Sequence, residues 1–328
     1  MIDIHKIIEQ AVKKNATEIH IMLESKPIFR IGNSLVKMEC SNILKVDDIN
    51  EIKKKIFNKN RNMNTVYKYK EISLSVNMSF SNNVPVLTMK ILKKELPEFE
   101  ELELPEILRK MTHQDQGLIL VVGTKNSGKT TTLNALVRHI NETQNKKIIT
   151  IEKLIEYKHI PRNAIIVQKQ VGEDCSTYKT GVENALKEDC DVLVVEDIRN
   201  RETMDAVLEF VESGRLVIAG INSTSCANVN EKIINFYEPR QHTHIKYLLS
   251  TLLKIMISQK LLIGTKGKLE LISEVSVTND TKQNVSLVNS LANLYVKNKI
   301  TLKQAKAELQ EKDIDSLNKT IMKMRIKK

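Results

Sequence analysis

One stretch limits what this chain can fold into more than any other: Leu118 to Thr132, LILVVGTKNSGKTTT. Leu118 to Val122 are apolar and largely β-branched, which predicts a short buried strand. Gly123 to Thr130 then spell G-x-x-x-x-G-K-T, and Leu133, Leu136, Val137 and Ile140 follow at helical spacing. Strand, loop and helix therefore come in the order a phosphate-binding P-loop needs. The glycines let the backbone curl until successive N–H groups and the helix N-terminus face one anionic spot. Gly123, Thr124, Asn126, Ser127, Gly128, Lys129, Thr130 and Thr131 are the expected contacts to nucleotide phosphates, with Lys129 at the β and γ phosphates and the Thr130 hydroxyl on magnesium. ATP and Mg2+ are the expected cofactors.

The 328 residues suit two domains, each able to bury a core. No apolar run approaches a membrane span and the amphipathic start MIDIHKIIEQAV is no signal peptide, so a cytoplasmic protein is expected, at most peripheral at the inner face of the membrane. Cys40, Cys175, Cys190 and Cys226 are scattered without a C-x-x-C pair, which argues against a zinc site or a disulfide framework. The net charge of +11 is compatible with nucleic acid, but lysines are spread along the whole chain and aromatics are only 4%, so no nucleic-acid partner is expected. The tail Lys319 to Lys328 is a modest basic exception.

Behind Asp3 as N-cap, Ile4, Ile7, Ile8, Ala11 and Val12 predict an opening amphipathic helix. Short strands follow at EIHIML, PIFRI and SLVKM, with turns such as Gly32-Asn33-Ser34, then a charged helix at Asp47 to Asn58 and strands at Ile72 to Phe80 and Val84 to Leu92. This predicts an α+β domain over 1–93, with the proline-bearing acidic segment 94–112 as linker and 113–328 as the P-loop domain. In the latter, strands at Lys147 to Ile151, Ile165 to Val167, Val192 to Val195 and Leu216 to Ile221 alternate with helices, which predicts an α/β fold with a mostly parallel sheet. Ile245, Leu248, Leu249, Leu252 and Met256 read as one long helix, LELISEVSV as a strand, and Val285 to Leu294 and Thr301 to Leu309 as closing helices.

A P-loop ATPase needs acidic groups at the end of a neighbouring strand to hold magnesium and polarise water. Glu196-Asp197, directly after Val192 to Val195, has that Walker B layout, and Glu152 ends the strand Ile148 to Ile151.

Taken in order, ATEIHI, PIFRI, QGLILVVGTKNSGKTTTLNAL, TIEKLIEY, VQKQVGED, ALKEDCDVLVVEDIRNRET, ESGRLVIAGINSTS and SQKLL resemble the type II and type IV pilus secretion ATPases, and within them the twitching-motility (retraction) branch, the PilT type. That resemblance implies a RecA-like ATPase domain preceded by a small PAS-like α+β domain, a hexameric ring, homomeric or mixed with a related ATPase, and a pilus inner-membrane platform protein as partner. It also implies Glu152 as general base, Thr130 and Asp197 as metal-binding residues, and Glu196, Asp197 and Asn222 as further catalytic positions.

The chain departs from the family pattern at several places. Lys153-Leu154 replace Asp-Pro, Glu196-Asp197 replace Gly-Glu, and Asn222 replaces a histidine. Ser73, Ser75, Glu183 and Lys187 stand where relatives offer arginines across subunits, and the AIRNLIRE stretch has no copy near Asp280 to Val288. A trans arginine contributes about 10³- to 10⁵-fold in rate, so these changes should weaken hydrolysis more than binding. Three readings follow: a pilus-retraction motor ATPase, a degenerate paralogue that binds nucleotide with little turnover, and a nucleic-acid-driven motor.

Overall fold

The computed structural model describes residues 3–32, 34–39, 43–57, 63–92, 96–278 and 280–326. Asn33, Cys40, Asn58, the expected domain boundary at 93–95 and the last two residues of the basic tail lie outside them. Contacts divide the chain into two units, Met1–Leu96 with Glu156–Lys158, and Pro97–Ile155 with His159–Lys328.

The first unit runs α1 (Ile4–Lys13), β1 (Glu18–Ile21), β2 (Ile28–Ile31), β3 (Ser34–Lys37), α2 (Val46–Phe57), β4 (Asn64–Tyr69), β5 (Ile72–Ser81) and β6 (Val84–Leu92). The Asp3 carboxylate accepts from the His5 N–H and caps α1, whose Ile4, Ile7, Ile8 and Ala11 are buried, whereas Val12 is exposed. Asn82 and Asn83, at φ +50° and +61°, form the two-residue turn that matches the twist of β5 and β6 and sets Ser81 opposite Val84. The strands make one antiparallel sheet in the order β3-β2-β1-β6-β5-β4, packed by α1 and α2 through Ile7, Ile8, Ile49 and Ile52 against Ile19, Phe29, Leu74 and Leu87. Edge strand β4 was not expected; its NTVYKY holds one aliphatic residue, Val66, among polar and aromatic ones and carries no apolar alternation.

The second unit contains α3 (Ile107–Met111), β7 (Gly117–Val122), α4 (Lys129–Thr143), β8 (Lys147–Glu152), β9 (Ile165–Gln170), α5 (Tyr178–Lys187), β10 (Val192–Ile198), α6 (Arg201–Glu212), β11 (Leu216–Ile221), α7 (Cys226–Ile234), α8 (His242–Leu252), β12 (Leu253–Ile263), β13 (Leu269–Val277), α9 (Leu287–Val296), α10 (Leu302–Ala307) and α11 (Glu311–Ile326). Its sheet has the order β13-β12-β7-β11-β10-β8-β9, parallel except where β13 returns against β12. Strand β7 is buried on both faces because Leu118, Leu120 and Val122 enter one core and Ile119 and Val121 the other.

Three expectations need correction. The acidic segment is not a linker to residue 112: Phe99, Leu104 and Leu108 are buried in the core that α4 covers, so its apolar positions anchor it. The long helix ends at Leu252. From Leu253 the chain becomes β12, because Ile255 and Ile257 pair beside Ile119 and Val121 of β7, and strand pairing overrides the helical spacing that reaches Met256. Strand β10 does not adjoin β7 either, since β11 lies between them and pairs with both.

Candidate functional site

The loop between β7 and α4 is shaped by two glycines and held by one lysine. Gly128 sits at φ +93°, a left-handed conformation that favours glycine, and it leads directly into α4. A Cβ on Gly123 would stand 2.2 Å from Ser127 Oγ and 2.8 Å from the Gln259 carbonyl, so only hydrogen fits. The first bond of α4 runs from the Thr132 N–H to the Gly128 carbonyl, and the amides of Lys129, Thr130 and Thr131 come before it at the positive end of the helix. The Lys129 ammonium donates to the carbonyls of Gly123 (2.6 Å) and Thr124 (3.0 Å), across the mouth of the loop. Burial pushes its pKa below the usual lysine value, while Asp197 and Glu196 pull in the opposite direction. Thr124 and Asn126 are exposed at the loop tip, Ser127 is buried, and Thr130 and Thr131 are half-buried.

Sheet register brings the acids to the same end. Ile151 pairs with Val195, so Glu152 and Glu196 are each one step beyond a matched pair. Strand β10 then bulges: Val195 faces Ala219 and Ile198 faces Ile221, which leaves Glu196 and Asp197 opposite Gly220 alone. The bulge presses the Glu196 carbonyl to 2.1 Å from where a Cβ of Gly220 would lie, so a glycine on β11 is a condition of the acidic geometry on β10.

Thr130, Asn134, Thr150, Glu152, Val194 and Glu196 line one cleft. Glu152 is buried there, and its Oε1 accepts from the Thr150 hydroxyl (2.6 Å) and the Gln168 amide (3.1 Å). Glu196 accepts from the Lys153 N–H and from the Tyr178 hydroxyl (3.2 Å). Asp197 lies outside that lining; its Oδ2 accepts from Arg199 at 2.6 Å, and its buried Oδ1 has no hydrogen-bond partner among the described residues. Asn222 is exposed just past β11, and its carbonyl receives the Lys232 ammonium. The arrangement thus gathers Thr130, Glu152 and Glu196, keeps Asp197 close enough to influence Lys129, and leaves the Asn222 side chain outside the cleft lining.

Sequence reading missed Asn134, Thr150, His159, Gln168 and Gln259. The available signal was a polar residue inside an apolar run: Thr150, between Ile149 and Ile151, and Asn134, between Leu133 and Ala135, are both buried, whereas Gln259 is buried between Ser258 and Lys260 and gave no such signal. Gln259 comes from β12, whose first residues to Met256 were expected to be helix, and its amide donates to the Ser127 carbonyl at 2.9 Å.

A family model described as type II/IV secretion system protein matches residues 1–313. The chain belongs to that family. Among its type II/IV secretion relatives, the type IV pilus ATPase PilU of Pseudomonas aeruginosa is 27% identical over 274 residues, which cover 81% of this chain and 72% of PilU. The type IV pilus retraction ATPase PilT of the same organism is 24% identical over 89% of this chain and 88% of its own. A crystal structure of the pilus retraction motor PilT with bound ADP aligns at a TM-score of 0.86 and 26% identity, covering 96% of this chain and all of that one. The RecA-like α/β fold with a small antiparallel N-terminal domain, expected from the resemblance, is therefore the fold of this secretion-family chain. The family is one of ATPases. No helix among the described residues is long and apolar enough to cross a membrane.

Proposed function

We propose that this chain binds ATP with magnesium in the P-loop and hydrolyses it as a pilus-retraction motor subunit. The observation that carries the reading is the shared cleft: Thr130 of α4, Glu152 of β8 and Glu196 of β10 line one space beside a cradle that admits no Cβ at Gly123. In this reading the phosphates take over the Lys129 contacts now made to the Gly123 and Thr124 carbonyls. Oxygen donors suit a hard cation, so the Thr130 hydroxyl and the buried, unpartnered Oδ1 of Asp197 would hold magnesium, which would neutralise phosphate charge when bound. Glu152 is the general base. Its Oε1 is held by Thr150 and Gln168, which orients the carboxylate toward an attacking water. The family resemblance adds a ring, homomeric or mixed, working at the cytoplasmic face of the membrane against a pilus platform protein.

A second reading, a subunit that holds nucleotide but rarely cleaves it, draws support from specific contacts. Arg199 already neutralises Asp197, and Lys153 follows the base directly. Phosphate release by the wild type and by Lys129→Ala, measured beside nucleotide affinity, separates the two. Lys129-dependent release supports the motor, and tight binding without release supports the silent subunit.

A further inference from the structure

Two polar side chains near the cleft, Asn134 and Gln168, are both hydrogen-bonded to a third residue, His159. The Asn134 Nδ2 donates to the Thr130 carbonyl at 2.9 Å, one turn back along α4. That bond decides which end of the amide faces His159: Asn134 Oδ1 lies 2.7 Å from the imidazole Nε2. An amide oxygen only accepts, so Nε2 carries the hydrogen. The ring is neutral, because burial pushes its pKa down to about 4, with the Arg138 charge adding to the effect.

The backbone of the same residue acts on the other side of the cleft. The His159 N–H donates to Gln168 Oε1 at 2.9 Å, which turns the Gln168 Nε2 toward Glu152 Oε1 at 3.1 Å. A main-chain group at each end thus leaves no freedom to flip either amide. Through its side chain His159 steadies the turn that carries Thr130, and through its backbone it steadies the glutamine that holds Glu152.

We infer that His159 is a positioning residue that sets the spacing between Glu152 and the Thr130 end of the P-loop. The inference rests on hydrolysis at this site, where a displacement of about 1 Å can cost about 10²-fold in rate. A histidine that merely filled space would change stability, with no split between kcat and KM and no dependence on a donor at Nε2.

The test uses the full chain. His159→Leu removes the donor, and His159→Gln keeps a donating nitrogen near the Nε2 position. His159→Leu is expected to lower kcat about 10- to 100-fold while ADP affinity stays within about twofold, and His159→Gln to recover most of the rate. Imidazole ¹⁵N shifts of the wild type are expected to report the neutral Nε2–H form at pH 7, a readout that needs no variant to fold. An unchanged kcat in His159→Leu, a joint loss of rate and ADP binding that His159→Gln does not repair, or an Nδ1–H ring would each overturn the inference. If the wild type binds ADP but hydrolyses no ATP, the hydrolysis reading fails separately. The ring tautomer then decides the positioning claim, Nε2–H supporting it and Nδ1–H overturning it.

Discussion

The side-chain amide of Gln259 donates to the carbonyl of Ser127 at 2.9 Å, linking β12 to a loop 132 positions earlier in the chain. Both residues are buried, and the Gln259 Nε2 also lies 3.0 Å from where a Cβ on Gly128 would be. The strand next to β7 therefore clamps the back of the loop on which nucleotide is proposed to sit.

Loss of that clamp should be felt in binding before stability. Gln259 Oε1 is buried without a hydrogen-bond partner among the described residues, so Gln259→Leu removes one unsatisfied atom together with one good bond. A neutral hydrogen bond contributes about 0.5–1.5 kcal/mol net. Nucleotide affinity by calorimetry should fall about 3- to 10-fold while the melting temperature moves by only a few degrees. An affinity equal to wild type would remove Gln259 from the site.

Gly220 is expected to be the least replaceable residue of β11. An added methyl would meet the Glu196 carbonyl at 2.1 Å, a backbone atom that can retreat only by undoing the bulge that carries Glu196 and Asp197. Gly220→Ala should destabilise the chain by about 3 kcal/mol in urea titration, at the upper end of overpacking costs. A loss below about 1 kcal/mol would mean the bulge is not under this constraint.

Much of this was legible in the residues. Leu118 to Val122 and the glycine spacing located β7, the loop and α4, and LELISEVSV matched β13 residue for residue. Thr301 and Gln304 form the capping box that their spacing predicts. What stayed hidden depended on distant partners. Leu253 to Ile257 continue the spacing of α8 and become strand only because β7 is there to pair with. Helix α11 offers only Leu317 and Ile321 as buried positions among charges, so its second half, from Lys319, read as a basic tail. The carboxylates were visible as types at strand ends, whereas the circuit of Asn134, His159 and Gln168 joins residues that no local pattern groups.

His159 also predicts a pH dependence of stability. Its folded pKa of about 4 lies below the ordinary value of 6.5, so between these limits the unfolded chain binds the extra proton. Stability should fall as pH drops from 6.5 toward 4, with this residue contributing a slope of up to about 1.4 kcal/mol per pH unit. Urea midpoints from pH 7 to 4 should show a shallower decline in His159→Gln than in wild type. Parallel declines would place the histidine in solvent.

The buried cysteines give a chemical check on the core. Burial pushes the Cys190 and Cys226 thiols up to about 12, so almost no thiolate exists at pH 8. Iodoacetamide at that pH, followed by mass spectrometry, should leave both unmodified in the native chain and label both in urea. Rapid native labelling of either would contradict its burial beside the parallel sheet.

The most direct measurement is single-turnover phosphate release from Mg-ATP by Glu152→Gln beside wild type, with ADP affinity determined on the same samples. Removing a general base should slow release by about 10²- to 10⁴-fold and leave ADP binding nearly unchanged. Equal rates in the two proteins, or no release by the wild type at all, would contradict hydrolysis at this cleft with Glu152 as its base.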